Sequence, residues 1–200
     1  MCIIPIWFND SILDSSNNNE VFDEVSMNFI NVTSMIINAA CVAALASVGY
    51  AKVSDMRQTE ELLEYDQQHQ CMALNIYHEA RSDSKLGQTA VGFVTLNRVM
   101  SNSYPNTVCD VVYQSNLNSK GHPIRNQCQF SWYCDGKDDT PKDENIWGEV
   151  QATAHEVLTN YGIVEDFTEN AIMYHASYVN PYWASSYEKT VRIDNHIFYK

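Results

Sequence analysis

The stretch NIYHEARSDSKLGQTAVGFVTLNRV, Asn75 to Val99, holds two helical segments of opposite character joined by a polar break. The first ends in His78, Glu79 and Arg81, three ionisable residues within four positions. The second, GQTAVGFVTLNRVM from Gly87 to Met100, is apolar on nearly every side, which marks a buried central helix. A Glu on a helix is ordinarily solvated. Here Leu74, Ile76 and Tyr77 precede Glu79 and the apolar helix follows, and a carboxyl beside such surfaces has its charged form disfavoured. It can then stay protonated near neutral pH, the property a general acid needs. Arg81 has a plainer role, pairing with Asp83 or with the helix end.

Outward from this stretch the chain continues mainly helical. TEELLEYDQQHQCMALNIYHEA reads as helix with Leu62, Leu63, Cys71, Leu74 and Ile76 as apolar contributors. Pro105 in YPNT stops the helix that follows. Residues 113–145 are loop-rich, with Gly121, Pro123, Gly136 and Pro141. DENIWGEVQATAHEVLTNYG places Trp147, Val150, Ala154, Val157, Leu158 and Tyr161 at helical spacing, and Gly162 fits a C-terminal cap. VRIDNHIFYK predicts two short strands turning at Asp194-Asn195. The expected class is α+β, predominantly helical, with a small hairpin or sheet element.

The 200 residues suit one domain with extra sequence at an end, and 45% hydrophobic residues suffice for a core. Lys and Arg number 12 against 25 Asp and Glu, a net charge of −13, which repels phosphate backbones and argues against nucleic acid as a partner. Twelve Tyr and four Trp suit stacking on an uncharged polymer such as a glycan. Residues 1–26 form a polar, acidic extension that reads as flexible. Residues 27–51 form an apolar segment inside an uncharged run, and no Lys or Arg precedes Lys52. Three readings stay open for it: a cleaved signal ending near Gly49 and Ala51, a membrane anchor, or a helix packed on the domain. The missing basic flank tells against a signal. The globular domain is expected over 60–200.

Four blocks together carry a resemblance: ALNIYHEARSDSKLGQTAVGFVTLNRV, YPNTVCDVVYQ, CQFSWYCDG and MYHASYVNPYWASSYEKTVRIDNHIFYK. Over about residues 70–200 the chain resembles the SleB-type cell-wall hydrolases, which include spore-cortex lytic enzymes and related bacterial and phage lysins. The resemblance implies a lysozyme-like catalytic domain that cleaves peptidoglycan glycan strands, with Glu79 as the catalytic acid. It departs at Ser82 and Asp194, where the family commonly has Gly. Two readings stay open for QFSW: a buried aromatic pair, or a loop lining the cleft with Trp132 as a sugar platform and Gln129 and Ser131 as hydrogen-bonding groups. From a strand across the cleft, Tyr174 and His175 are expected to bind substrate, as is Trp183. No cofactor is expected, the partner is peptidoglycan, and the protein is expected to be a monomer in the periplasm or cell wall. A phage lysin would instead begin in the host cytoplasm. Transient membrane association would run through residues 27–51.

Cys71, Cys109, Cys128 and Cys134 allow three pairings, among which the sequence does not choose. A zinc site at Cys128, Cys134 and His122 lacks the tight ligand spacing, and HEARS is not H-E-x-x-H, so a metal-dependent amidase lacks its motif. A non-catalytic wall-binding or virion protein of the same fold is a further alternative. A two-carboxylate glycosidase needs a second acid across the scissile bond. Only Asp83 lies near Glu79 in sequence, while Asp110 and Asp135 read as turn or cap residues. A single Glu, acting first as acid and then as base, would give lytic transglycosylation and 1,6-anhydro-muramic ends. An ordinary muramidase is the alternative.

Overall fold

The computed structural model describes the backbone from Glu20 to Lys200 and the side chains from Ser34. The extension expected over residues 1–26 lies outside the described residues, save for helical backbone from Glu20. The helices are α1 (Glu20–Ala80), α2 (Lys85–Val99), α3 (Val108–Val112) and α4 (Glu144–Asn160). The strands are β1 (Ser115–Leu117), β2 (Pro123–Cys128), β3 (Met173–Ala176), β4 (Lys189–Ile193) and β5 (His196–Tyr199). The chain divides into two units, Met1–Glu61 and Leu62–Lys200.

In the first unit the described side chains of α1, from Ser34 on, are exposed except for Cys41 at an intermediate level; the exposed ones include Met35, Ile37, Val42, Leu45 and Val48. An 18-residue window of α1 reaches a mean hydropathy of 1.6 with none of it buried, so this helix is long and apolar enough to cross a bilayer.

The second unit is built around α2. Ser84 caps its N-terminus by accepting from Gly87 N, and its body is buried from Gly87 to Arg98 except at Thr89. One side packs Phe93 and Leu96 against Met72 and Ile76 of α1, Val111 of α3 and Val150 of α4. The other packs Ala90 and Val94 against Ile193 and Phe198 of the sheet. Each fully buried side chain of this size contributes about 1.5–3 kcal/mol. Gly92 lets α4 approach closely, since a Cβ there would lie 2.9 Å from both methyl carbons of Val157. The helix ends at Val99, six residues ahead of Pro105, so the proline does not stop it. Leu62 and Leu63, expected to contribute to the core, are exposed; burial on α1 begins in earnest at Cys71.

The loop-rich segment holds more order than its composition suggests, with an antiparallel β1–β2 pair and a 3-10 turn at Ser131–Cys134. The terminal strands β4 and β5 turn at Asp194, whose φ is 46°, and β3 adds to β5 to give the order β3-β5-β4. Disulfides join Cys71 of α1 to Cys109 of α3, and Cys128 to Cys134. The second takes both sulfurs out of the zinc ligand set considered from sequence.

Candidate active site

Glu79 stands in the last turn of α1, where the negative end of the helix dipole and partial burial both disfavour a carboxylate. It lines a cavity of about 360 Å³ together with Arg98, Gln129, Ser131, Tyr174 and Trp183. Burial pushes the Glu79 carboxyl above its ordinary range, and four neighbours pull the other way: the Tyr174 hydroxyl, His196, Arg98 and His78. The Tyr174 hydroxyl donates to Glu79 Oε2 at 3.0 Å. That tyrosine is itself pushed well above the ordinary phenol range, by burial first and the adjacent Glu79 second, so it remains a donor.

Arg98 enters the cavity from the end of α2 and is 3% exposed. Its Nε donates to Ile172 O at 2.7 Å, and its guanidinium lies 5.0 Å from the Phe130 ring centroid. With the Gln129 amide turned so that its oxygen faces inward, Nη1 and Nη2 donate to it at 3.3 and 3.2 Å. Among the described residues no carboxylate is a hydrogen-bond partner of Arg98, so a desolvated cation stands in the same cavity as Glu79. Arg98 was not singled out from sequence. The available signal was the one charged residue in the apolar run from Gly87 to Met100.

Gln129, Ser131, Tyr174 and Trp183 therefore share one cavity with Glu79. Trp132 and His175 do not line it. Trp132 is buried, its indole Nε1 donates to Asn75 Oδ1 at 3.2 Å, and His78 stacks on its ring at 4.5 Å. With one face taken by His78, it forms part of the wall of a neighbouring cavity rather than a bare platform. His175 follows Tyr174 on β3, and successive residues of a strand point to opposite faces. Its Nε2 meets the Tyr199 hydroxyl at 2.9 Å, and its ring meets that of Trp183 edge to face at 5.6 Å.

The other carboxylates considered are occupied elsewhere. Asp110 caps α3 with Thr107, and Asp135 holds the turn to Lys137. Asp83 is not among the residues of the Glu79 cavity; its Oδ2 meets His196 Nδ1 at 2.8 Å. Arg81 does not pair with it, but caps the helix end through Tyr77 O at 3.4 Å and lies over the Tyr77 ring.

The chain is similar to known proteins. Residues 82–199 match the family model described as cell wall hydrolase. The spore cortex-lytic enzyme of Bacillus cereus is 51% identical over 45 residues, which are 22% of this chain and 17% of that protein. The catalytic domain of the germination-specific lytic transglycosylase SleB from Bacillus anthracis superposes with a TM-score of 0.51 at 28% identity, over 66% of this chain and 93% of that one. The α+β lysozyme-like fold expected from sequence is the fold observed. Matched over more than half of its length, the chain belongs to the cell wall hydrolase family of enzymes.

Proposed function

We propose that the domain cleaves peptidoglycan glycan strands by lytic transglycosylation, with Glu79 as the only proton-transferring carboxyl. The observation that carries this is the cavity itself: among the described residues lining it, Glu79 is the only carboxylate. Glu79 gives its proton to the glycosidic oxygen as the bond to muramic C1 breaks. The 6-hydroxyl of the same muramic residue attacks C1, and the Glu79 carboxylate takes the hydroxyl proton back. No water is consumed, and the acid is regenerated. Arg98 and the Tyr174 hydroxyl stabilise the carboxylate between the two transfers. The likeness to a lytic transglycosylase catalytic domain supports this over hydrolysis.

Mass spectrometry of the released muropeptides tests it. Anhydro ends are expected; products one water heavier, with reducible ends, would mean an ordinary muramidase. Lysis that survives EDTA separates either glycosidase from a metal-dependent amidase. The domain is proposed to work outside the cytoplasm, delivered or tethered by the apolar part of α1, which membrane flotation of the full chain and of a chain lacking residues 1–51 would check.

A further inference from the structure

The connection between α1 and α2, residues 81–84, is fastened twice to the β4–β5 turn. The outer fastening is Ser84, whose N and Oγ both donate to Asp194 Oδ2, at 2.9 and 2.6 Å. It ties the turn to the start of α2. Gly87 leaves it room, because a Cβ there would lie 2.5 Å from Asp194 Oδ2 and 2.9 Å from Asp83 Cβ. The inner fastening is Asp83, which accepts from Asn195 Nδ2 at 3.2 Å and meets His196 Nδ1 at 2.8 Å. The side chains of Asp83 and His196 are 3% and 10% exposed. A buried carboxylate is a costly way to hold a turn that is already held, and apolar residues would serve stability as well.

The inner pair does reach something. Ala176 pairs with His196 and Tyr174 with Phe198, so Tyr174 and His196 are diagonal neighbours on one face of the sheet. Their rings meet edge to face at 5.2 Å and 87°, and Phe198 closes on the tyrosine ring at 5.7 Å. The tyrosine hydroxyl ends on Glu79. We propose that Asp83 is a positioning residue: it fixes the His196 ring, which fixes the Tyr174 ring, whose hydroxyl holds Glu79 in line with its substrate. The carboxylate nearest the acid in sequence is thus used, but as a brace and not as a second catalytic group. This rests on Glu79 being the acid.

The test is a mutant cycle in the full-length chain, held in mild detergent, with initial rates measured on soluble glycan strands across a concentration range. Asp83→Asn and Tyr174→Phe should each lower kcat by about 10–100-fold while KM stays within about twofold, since misplacing the acid affects the chemical step more than binding. Because Asp83 acts through Tyr174, the double variant should be no slower than Tyr174→Phe alone, to within about twofold. Multiplying losses, or an Asp83→Asn enzyme at the parental kcat, would overturn the proposal. His196→Phe keeps a ring against Tyr174 but loses the bond to Asp83, and gives the same cycle if Asp83→Asn does not melt cooperatively. Glu79→Gln separates the two layers: a folded, active Glu79→Gln enzyme sinks the acid itself, whereas an inactive one beside a fully active Asp83→Asn sinks only the brace.

Discussion

Two helical stretches of this chain are apolar all round, and they end in opposite surroundings. Residues 34–51 of α1 keep their side chains exposed, apart from Cys41 at an intermediate level, while α2 is buried from Gly87 to Arg98 but for Thr89. Hydrophobicity alone does not distinguish them. What does is the fit to a neighbour: α2 carries Gly92 where α4 crosses and Arg98 where the cavity opens, whereas Gly49 in α1 faces nothing within 4 Å. An apolar helix with such specific features is part of a folded core. One without them suits a solvent that is itself apolar.

The largest expected effect sets chemistry on one side of that contrast. Glu79→Gln should lower lysis of purified sacculi by about 10²–10⁴-fold with a cooperative melt retained. Removing residues 1–51 should leave the rate on soluble substrate at the parental value. A truncated chain that cannot fold would erase the distinction, by making the exposed stretch part of the core.

Next comes packing. Phe93→Ala in α2 should cost about 3–5 kcal/mol in denaturant unfolding, from lost burial and the cavity left behind. Leu45→Ala, at 70% exposure, should lie within about 0.5 kcal/mol of the parent in the same experiment. The paired glycines sharpen the comparison because their signs differ. Gly92→Ala should destabilise by about 1–3 kcal/mol through overpacking against Val157. Gly49→Ala should stabilise its helix, by up to about 1 kcal/mol from propensity alone. Circular dichroism melts of the two variants decide this.

The smallest expected effect is a shift in a pH profile. Glu79 must be protonated to act as the acid, so kcat should fall as pH rises through its raised pKa. The Tyr174 hydroxyl opposes burial by favouring the carboxylate, so Tyr174→Phe should move that alkaline limb to higher pH as well as lower its plateau. A limb that moves to lower pH would contradict the assigned hydrogen bond.

Much of this was legible in the residues. The periodicity of α4, the continuous apolar run of α2 and the turn-forming pair Asp194-Asn195 are local signals, and local signals survive folding. The apolar residues before Glu79 pointed to its partial burial, whereas the groups around its carboxyl, Tyr174, Arg98 and His196, come from distant parts of the chain. Residues whose meaning depends on register were not legible. Tyr174 and His175 were both assigned to the cleft, yet only Tyr174 lines it, while the His175 ring turns to the Tyr199 hydroxyl. Trp132 could be read from sequence as a platform or as part of a buried aromatic pair, and the choice depends on His78 of α1, which takes one face of its ring. The β1–β2 pair was missed because its strands are short and polar, with Asn126 at φ 60° interrupting the pattern.

The Cys71–Cys109 bridge acts on a state of the chain quite different from the folded one. It closes a loop with a sequence separation of 38 residues that contains Glu79, Asp83 and the whole of α2. In the unfolded chain such a loop removes conformational entropy worth about 4 kcal/mol on the loop-closure model. That is comparable to the deletion of a buried phenylalanine, yet it changes no contact of the native state. The stability of the catalytic half of the molecule is therefore set in part by the redox potential of whichever compartment holds it, and a reductant would weaken it through the denatured ensemble before disturbing a single packed side chain.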